Sequence, residues 1–235
     1  MKKVISFILI LAMAPSAYAT VSTRVCLADG NTPLELVDPC VPFVYRPIMT
    51  GTHPTIIIDS NTGGSCFSEL TTWDANQNYG CLYGRNYNEE TGNWDGSILP
   101  AAGEMASVFE TGGTETVDGV EHETKGFQFL GDAENSIPGD WFIIDYNAIN
   151  TGYCLVTLVD DEHLSCQMSF THVRTRDFDD DGIVNFKDFV LLGSNWRRTD
   201  CQTQGNCSGT DLDENGNVDF DDLKLFADFW LERTR

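Results

Sequence analysis

Two acidic twelve-residue segments have the composition of a site for a hard cation. DFDDDGIVNFKD begins at Asp177 and DLDENGNVDFDD begins at Asp211, thirty-four positions later in a chain of 235 residues. Each segment has oxygen-bearing side chains at positions 1, 3, 5, 9 and 12, a glycine at position 6 and a backbone carbonyl to offer at position 7. Calcium takes about six to eight oxygen ligands, and glycine permits the sharp turn that such a loop needs. The spacing therefore predicts two calcium ions, one in each loop.

The expected calcium ligands occupy the same positions in both loops. They are Asp177, Asp179, Asp181, Asn185, Asp188 and the carbonyl of Ile183 in loop one, and Asp211, Asp213, Asn215, Asp219, Asp222 and the carbonyl of Asn217 in loop two. Neither loop contains Cys or His, the ligands typical of zinc and related metals. Two solvated acidic turns without an ion are the alternative interpretation.

Apolar side chains follow each loop with helical spacing. The stripe consists of Phe186, Phe189, Leu192 and Trp196 after loop one, and of Phe220, Leu223, Phe226 and Trp230 after loop two. This pattern predicts a helix of about three turns in each repeat. An ordinary EF-hand also has a helix before the loop and a Glu at position 12. Here strand-like or turn-like residues precede the loops, and position 12 is Asp.

A doubled unit of calcium loop and following helix resembles the type I dockerin family. The resemblance covers residues 174–235, with repeats at about 177–198 and 211–232. It implies a small all-α module of two antiparallel helices with one calcium per repeat. It also implies calcium-dependent binding, through a helix face, to the cohesin domain of a scaffold or surface protein.

The positions expected to contact a partner differ between the repeats. They are Phe186, Lys187, Ser194 and Arg198 in the first repeat, and Phe220, Asp221, Asp228 and Glu232 in the second. Dockerins often have small hydroxyl residues at loop positions 10 and 11, which this chain replaces by Phe–Lys and Phe–Asp. Because the charges reverse sign, a partner that fits one face is repelled by the other, and we expect a single binding mode. Solvated helix faces without a partner are the alternative.

The amino-terminal residues 1–19 have the pattern of a secretory signal peptide. Lys2 and Lys3 precede an apolar run over 4–13, and Ala17 and Ala19 stand where a cleavage site requires small residues. The apolar run is too short to span a bilayer. We therefore expect a secreted protein whose mature form begins at Thr20.

Eight cysteines, an even number, indicate disulfides in an exported protein. Neighbouring positions suggest the pairs Cys26–Cys40, Cys66–Cys81, Cys154–Cys166 and Cys201–Cys207. The third pair has local support, because the residues around it form a predicted β-hairpin that turns near residues 160 and 161. No CxxC pair occurs, which disfavours zinc as the reason for the cysteines.

Residues 20–173 are predicted to form one all-β domain, a sandwich or a jelly roll. The strand-like segments are 42–49, 55–60, 66–73, 105–110, 126–131, 140–148 and a hairpin over 153–172. Turn-forming residues fill the gaps, and no long amphipathic helix is evident. The Gly-rich segments 61–64 and 111–119 are expected to be turns or mobile loops.

No catalytic constellation stands out in this β domain. Its histidines, at positions 53, 122, 163 and 172, lack metal-ligand spacing, and GxSxG is absent. Acidic residues are so frequent that any two could be taken for a glycosidase pair. A net charge of −22 excludes nucleic acid and anionic membrane as natural partners.

The leading hypothesis is a secreted, non-catalytic assembly protein whose dockerin-like repeats dock a β-sandwich cargo in a polysaccharide-related assembly. A second hypothesis is a secreted carbohydrate-active enzyme of the O-glycosyl hydrolase type, or a carbohydrate-binding module. Aromatic side chains amid amide groups favour sugar contact: Trp73, Tyr79, Tyr83, Tyr87 and Trp94. Burial of these rings in the core is the alternative. A third hypothesis is a calcium-stabilised surface protein without a cohesin partner.

Overall fold

The computed structural model describes residues 21–27, 32–35, 43–60, 66–84, 87–88, 93–94, 107–117, 119–131, 137–160 and 165–234. The predicted signal peptide and its cleavage site lie outside these residues. In the described part of the chain, no helix combines the length and the apolar character that crossing a bilayer requires.

Two β-sheets account for most of the described chain before residue 174. The strands are β1 (Val21–Cys26), β2 (Pro33–Glu35), β3 (Phe43–Val44), β4 (Ile48–Met49), β5 (Thr55–Ser60), β6 (Cys66–Thr72), β7 (Gly80–Gly84), β8 (Tyr87–Asn88), β9 (Asn93–Trp94), β10 (Ser107–Val117), β11 (Val120–Gly131), β12 (Gly139–Ala148), β13 (Gly152–Asp160) and β14 (Ser165–Val173). One sheet has the order β2-β1-β5-β12-β7, and the other has the order β10-β11-β6-β13-β14-β3, with β4 beside β14. Neighbours pair antiparallel, except that β3 and β4 run parallel to β14. The prediction of a β-rich fold is confirmed.

The two sheets share one hydrophobic core, as a sandwich does. Ile56 and Ile58 of β5 and Ile144 of β12 contribute from the first sheet, and Leu70 and Phe129 contribute from the second. All five are fully buried. Alternate residues of each strand enter the core because successive side chains point to opposite faces of a sheet.

The β10–β11 hairpin corrects the expectation that 111–119 is a turn or mobile loop. The ladder continues from Ser107 opposite Leu130 to Val117 opposite Val120, so Gly112 and Gly113 lie within a strand and only Gly119 lies in a turn. Paired backbone groups on both strands stabilise the extended chain despite its weak β propensity. The other Gly-rich segment, 61–64, lies outside the described residues.

The hairpin bends over the outer face of its sheet. Thr157 lies between the core residues Val156 and Leu158 and therefore points away from the core. Its Oγ1 donates to Glu115 of β10 at 3.2 Å, although β11 and β6 separate β10 from β13 in the sheet. The bend brings Gly126 so close to β6 that an added Cβ would lie 1.9 Å from the carbonyl oxygen of Leu70.

The β13–β14 hairpin is present, but its predicted disulfide is wrong. The ladder ends with Val159 opposite Ser165, so the paired positions are symmetric about position 162. This register puts Cys154 opposite Phe170 and leaves Cys166 four positions nearer the turn. Cys154 has a free thiol in the core, whereas Cys166 is disulfide-bonded. A shift of two residues in the turn was enough to separate the two sulfur atoms.

The remaining disulfide predictions have different outcomes. Cys201–Cys207 is confirmed. Cys66–Cys81 is wrong, because Cys81 has a free thiol, and burial raises the pKa of that thiol. Cys81 faces Asn147 of β12 in the first sheet, while Cys66 belongs to the second sheet. Cys26–Cys40 is also wrong, because Cys26 is not part of a disulfide; Cys40 itself lies outside the described residues.

Helices follow both acidic loops. They are α1 (Phe186–Ser194), a single turn α2 (Gly205–Ser208) and α3 (Phe220–Ala227), with a 3-10 turn over Cys201–Thr203. A second hydrophobic cluster joins α1 and α3 through Leu192 and Phe226 and includes Met49 of the β domain. Trp196 and Trp230, which were expected to close each helical stripe, lie beyond the helix ends.

Candidate metal centre

The two acidic loops have the same backbone course. Gly182 and Gly216, at position 6, have φ of 94° and 95°. Asp180 and Glu214, at position 4, also have positive φ, at 58° and 60°. A non-glycine residue rarely adopts this conformation, so its occurrence at matching places indicates two loops with the same geometry.

Each loop passes directly into its helix through a capping box. Asn185 caps α1 with its side chain, and the carboxylate of Asp188 accepts from the Asn185 backbone N–H at 2.8 Å. Asp219 and Asp222 do the same for α3, also at 2.8 Å. The predicted ligands at positions 9 and 12 are therefore fixed by the first turn of the helix.

Three carboxylates converge in each loop, at positions 1, 3 and 12. The sets are Asp177, Asp179 and Asp188 in loop one, and Asp211, Asp213 and Asp222 in loop two, each with one oxygen per residue within 4.8 Å of the others. The residues at positions 1 and 12 are buried and the residue at position 3 is exposed in both loops. The structure thus brings together six of the twelve predicted ligands as two equivalent triads.

The other predicted ligands of loop one lie next to its triad. Asn185 Nδ2 donates to the carbonyl of Ile183 at 2.9 Å and to the carboxylate of Asp181 at 3.3 Å. Positions 5, 7 and 9 of this loop are therefore gathered at one point, held by the amide of Asn185. A cation that replaced this N–H donor would find three oxygen-bearing groups in contact with each other.

In loop two the corresponding positions form a chain along the exposed rim. Asn215 Nδ2 donates to Asp213 at 2.8 Å, and Asn217 Nδ2 donates to Asn215 Oδ1 at 2.9 Å. Asp219 accepts from the backbone N–H of Asp221 at 2.9 Å. The side chain of Asn217 thus takes part in the rim, where only its carbonyl was predicted to matter.

One carboxylate oxygen in loop two has no donor. Asp211 is fully buried, and its Oδ2 accepts from the backbone N–H of Gly216 at 3.0 Å, while its Oδ1 has no hydrogen-bond partner. Burial, and then the nearby carboxylates of Asp222 and Asp213, raise the pKa of Asp211. An unpaired buried carboxylate oxygen is costly, and a cation at this point would remove the cost.

In loop one, both oxygens of the corresponding residue, Asp177, have donors. Asp177 accepts from the backbone N–H groups of Asp181 and Gly182, at 3.1 and 2.9 Å, and from Thr234 Oγ1 at 2.9 Å. Lys187 Nζ lies 2.5 Å from Asp181 and 3.7 Å from Asp179. This hydrogen bond lowers the pKa of Asp181 and raises that of Lys187.

Loop two has no such lysine. Position 11 there is Asp221, so the loop contains no basic residue, and the ion pair of Arg174 with Glu214 at position 4 does not involve a predicted ligand. Loop one therefore carries an exposed positive charge beside its triad, which a metal ion would have to compete with or displace. Because Lys187 is exposed, the competition is weakened by solvent and salt.

Each loop is completed by the segment that follows the other repeat's helix. The backbone N–H of Val184 donates to Glu232 at 2.9 Å, and that of Leu231 donates to Val184 at 2.8 Å. In the second loop Val218 exchanges the same kind of bonds with Arg197 and Arg198, at 2.8 and 2.9 Å. The repeats are interlocked, and neither loop is complete without residues from the other repeat.

The residues predicted to contact a partner fall into two groups. Phe186 and Phe220 open their helices and are 65% and 75% exposed. Glu232 was predicted to face a partner, which is wrong: its side chain is 8% exposed and pairs with Arg46 at 2.8 Å. The long-range contact with the β domain withdraws this carboxylate from the surface.

Local contacts engage the polar members of the predicted set. Lys187 binds loop one, Ser194 Oγ donates to the carbonyl of Leu191 at 2.7 Å, and Arg198 pairs with Asp200 at 3.1 Å. Asp221 and Asp228 are exposed at the two ends of α3. The predicted reversal of charge between the repeats therefore survives at α3 but is partly neutralised after α1.

An apolar groove lies between the helices on the exposed side of this module. It has a volume of about 240 Å³ and is lined by Phe189, Leu192, Gly193, Trp196 and Leu223. Nothing lies within 4 Å of the position where a Cβ on Gly193 would stand. The glycine therefore leaves the floor of the groove open to a side chain from outside.

The aromatic residues singled out for sugar contact do not form one platform in the described chain. Tyr79 and Tyr83 are 44% and 37% exposed, and Tyr83 OH lies 2.8 Å from His53 Nδ1. Trp73 is half-buried between His122 and Tyr153, with ring centroids 4.5 and 5.3 Å away. Tyr87 stands opposite Trp94 in the β8–β9 ladder.

Two polar clusters in the β domain were not anticipated. Arg24 donates to Asp59 at 2.7 Å and to Asp140 at 2.5 Å, joining β1, β5 and β12. Burial raises the pKa of Asp59 to about 7, and the hydrogen bond from Arg24 lowers that of Asp140 to about 2. The pairing of Asp140 opposite Asp59 depends on strand register, which the sequence alone does not give.

The second cluster is buried in the core near the β13–β14 sheet. Tyr146 OH lies 2.7 Å from His172 Nε2, and the Cys154 thiol lies 2.9 Å from Thr72 Oγ1. Burial raises the pKa of Cys154 to about 11 and lowers that of His172. Both groups are buried and hydrogen-bonded within the core, the imidazole to Tyr146 and the thiol to Thr72, as is typical of structural polar groups.

Comparison with known proteins adds little to this description. No protein-family model and no curated protein matches the sequence. Among solved structures, the second type II cohesin module of the adaptor ScaA scaffoldin of Acetivibrio cellulolyticus is 11% identical, with 61% of this chain and 73% of that chain covered and a TM-score of 0.31. A cohesin module from a Clostridium perfringens family 33 glycoside hydrolase is 6% identical, with 65% and 99% covered and a TM-score of 0.22. At these scores the likeness has no weight for fold or function.

Proposed function

We propose that residues 174–235 are a calcium-dependent docking module of the type I dockerin kind, carried by a secreted β-sandwich protein. The observation that carries the proposal is the buried Asp211 Oδ1, which lacks a hydrogen-bond donor beside the carboxylates of Asp213 and Asp222. A divalent cation would supply the missing positive partner. Without such a cation, the buried oxygen of Asp211 is a destabilising group that has no explanation.

Calcium suits the donor set better than other common metals. All predicted ligands are oxygens, which excludes the softer metals, and the asparagine and carbonyl groups of the rim allow a loose shell of variable number. Magnesium prefers a tight octahedron that keeps several waters. Positions 5, 7 and 9 of each loop would complete the shell around the triad.

Calcium would act on folding as well as on the site. Each triad holds three carboxylates whose mutual repulsion opposes the folded loop, and bound calcium converts that repulsion into attraction. The capping boxes tie positions 9 and 12 directly to α1 and α3. The ion would therefore stabilise the first turn of each helix.

The helix surface has the features of a protein-binding face. Phe186 and Phe220 are among the most exposed large apolar side chains, and the groove beside Gly193 is open. Exposed aromatic groups around an apolar depression are typical of interaction sites. In this proposal the partner is a cohesin domain, and the β-sandwich is the cargo that docking delivers.

Calcium titration calorimetry on the protein, followed by capture of partners from the native secretome, tests the proposal. We expect two calcium ions per chain and recovery of a cohesin-bearing protein only when calcium is present. Asp211→Asn should remove one of the two ions, whereas Asp200→Asn, an exposed aspartate paired with Arg198, removes the same charge without loss of binding. No calcium binding, or cohesin capture that persists in chelator, would refute the proposal.

The cargo is tested separately by incubation with plant and algal polysaccharides. Product release would make the β domain an enzyme, and retention without turnover would make it a carbohydrate-binding module. Neither result changes the assignment of the docking module. If neither product release nor retention is observed, the β domain is a structural cargo.

A further inference from the structure

We propose that the β domain sets the calcium affinity of loop one, through the segment 231–234 that joins Asp177 to Arg46. The proposal rests on calcium binding by loop one. It adds an asymmetry between the two sites: loop one is coupled to the β domain, and loop two is not.

The first link connects the segment to a calcium ligand. Thr234 is 3% exposed, and its Oγ1 donates to Asp177 Oδ2 at 2.9 Å. Its backbone N–H donates to the carbonyl of Gly182 at 3.1 Å. The hydroxyl thus orients the carboxylate at position 1, and the backbone bond holds the turn at position 6.

The second link is the β-bridge beside loop one. Ile183 pairs with Arg233, and Val184 exchanges backbone hydrogen bonds with Leu231 and Glu232. Val184 is fully buried in the helical module. The carbonyl of Ile183, a predicted ligand, therefore belongs to a residue that the segment holds by a β-bridge.

The third link reaches the β domain. Arg46 Nη1 lies 2.8 Å from Glu232 Oε2, and the other carboxylate oxygen, Oε1, is buried without a hydrogen-bond partner. Arg46 is thus the cation that balances a largely buried carboxylate. Removing it leaves that charge unpaired, which favours release of the segment.

Adjacent contacts fix Arg46 relative to the helical module. Met49, three residues later, belongs to the helical core, and its Sδ accepts from the backbone N–H of Arg176 at 3.4 Å. Thr50 Oγ1 accepts from the backbone N–H of Thr175 at 3.2 Å. The ion pair therefore stands at the edge of a packed interface and not on a free surface.

Loop two is held by a disulfide and not by an ion pair with the β domain. Its completing segment is anchored by the Cys201–Cys207 disulfide, and the backbone N–H of Cys201 donates to Gly216 at 3.2 Å. Arg198, thirty-four residues before Glu232, pairs with the local Asp200. This anchor is covalent and local, and the one ion pair described between loop two and the segment after β14, Arg174 with Glu214, does not involve a predicted ligand.

Binding linkage gives the expected consequence. If the β domain holds the segment in place, loop one binds calcium without first ordering it, and calcium in turn strengthens the Arg46–Glu232 contact by the same factor. We expect a coupling of about fivefold, the lower end of the usual range for such effects.

The experiment uses the full chain with loop two silenced by Asp211→Asn and measures calcium binding to loop one by calorimetry. Arg46→Ala should weaken binding about fivefold, and the control Arg198→Ala should leave it unchanged. The charge exchange Arg46→Glu with Glu232→Arg should recover at least half of the lost affinity. Hydrogen exchange of residues 231–234 is the second readout, and calcium should slow it less in Arg46→Ala than in the parent.

The outcomes separate this inference from the proposed function. If the parent with loop two silenced binds no calcium, the calcium assignment of loop one fails. If it binds calcium and Arg46→Ala binds equally well, the coupling fails and the calcium assignment stands. An equal loss with Arg198→Ala would also refute the coupling.

Discussion

At the scale of single residues, the balance of charge around each carboxylate decides its role. Asp177 and Asp211 occupy the same position of the repeat, yet Asp177 has donors for both oxygens and Asp211 for one. The difference comes from the backbone N–H at position 5, which in loop one (Asp181) donates to Asp177 Oδ1 and in loop two (Asn215) donates to Asp213 instead. Residue type and spacing therefore predicted that these carboxylates gather in each loop, but not that one carboxylate oxygen of loop two lacks a donor.

Substitution of Asp211 should have opposite effects with and without calcium. Asp211→Asn removes a buried charge, so the helical module should be more stable than the parent in chelator. Addition of calcium should stabilise the variant less than it stabilises the parent, because the variant binds calcium more weakly at loop two. Loss of a group that only supports a metal ligand costs about 10- to 100-fold in metal affinity, and loss of the ligand itself should cost at least as much. Hydrogen exchange of the module's amides at increasing urea concentrations, once in chelator and once in calcium, checks this. Equal destabilisation in chelator and in calcium would contradict it.

Asp59 should make the β domain less stable as pH rises through neutrality. Its folded-state pKa of about 7 exceeds the ordinary value of 3.8, so the folded protein binds this proton more tightly than the unfolded chain does. The resulting stability is present below about pH 4 and is lost as pH rises through about 7. Asp59→Asn keeps a donor for Asp140 and should be the more stable protein at pH 8.

Urea midpoints of the two proteins at pH 5, 6, 7 and 8, in saturating calcium, measure this effect. The parent midpoint should fall across the series, whereas the variant midpoint should fall less. Ser22→Ala, opposite Asp59 in the β1–β5 ladder, is the control and should retain the parent's pH dependence. Parallel curves for parent and Asp59→Asn would rule out the proposed titration.

At the scale of elements, sequence patterns within one strand or helix predicted that element correctly, whereas contacts between distant residues were not predicted. TIIIDS forms β5 over the predicted residues, and the stripes after the loops form α1 and α3, because each pattern is read within one element. The β13–β14 turn missed its place by two residues, which moved Cys154 away from Cys166. The β10–β11 hairpin continues through a Gly-rich segment because pairing with a partner strand outweighs propensity.

Gly126 should be the most sensitive glycine of that hairpin. An alanine Cβ there would lie 1.9 Å from the Leu70 carbonyl oxygen and 2.6 Å from the Thr71 Cα, so the backbone of β11 or β6 has to move. We expect Gly126→Ala to destabilise the β domain by about 3 kcal/mol, the upper part of the range for overpacking. Gly113→Ala, whose nearest atom would be Thr124 Oγ1 at 3.8 Å, is the matched control.

Urea unfolding followed by tryptophan fluorescence compares the two glycine variants. Gly113→Ala should unfold close to the parent, within about 1 kcal/mol. Similar midpoints for both variants would show that the hairpin does not press on β6. A large loss for Gly113→Ala alone would place the close approach elsewhere in the hairpin.

At the scale of the whole molecule, two hydrophobic clusters adjoin along β4, where Ile48 belongs to one and Met49 to the other. Composition and periodicity predicted a β-rich part and a helical part, and each has its own core. The contact between them was not predictable, because Arg46 and Glu232 are 186 positions apart and neither has a local signal. The same separation explains why Glu232 was mistaken for a surface residue.

Removal of calcium should affect one part of the molecule and spare the other. In chelator the carboxylates of both loops repel each other, and we expect the amides of α1 and α3 to lose protection from hydrogen exchange. Amides of β5, β12 and β13 should stay protected, because the sandwich core has no predicted metal ligand. Equal loss of protection in both parts would mean that the molecule folds as one unit, and no change in α1 or α3 would mean that calcium does not support the helices.

The hydrogen bond between Thr234 and Asp177 brings the entry and the exit of the helical module to one spot. A domain whose first and last residues lie close together can be inserted into an exposed turn of another protein with little strain. Residues 174–234 should therefore tolerate transplantation as a guest between two strands of an unrelated carrier, and circular permutation through the 204–209 connection once its cysteines are replaced. Separation of the two repeats onto different polypeptides, by contrast, should yield halves that are inert alone and regain structure only on mixing.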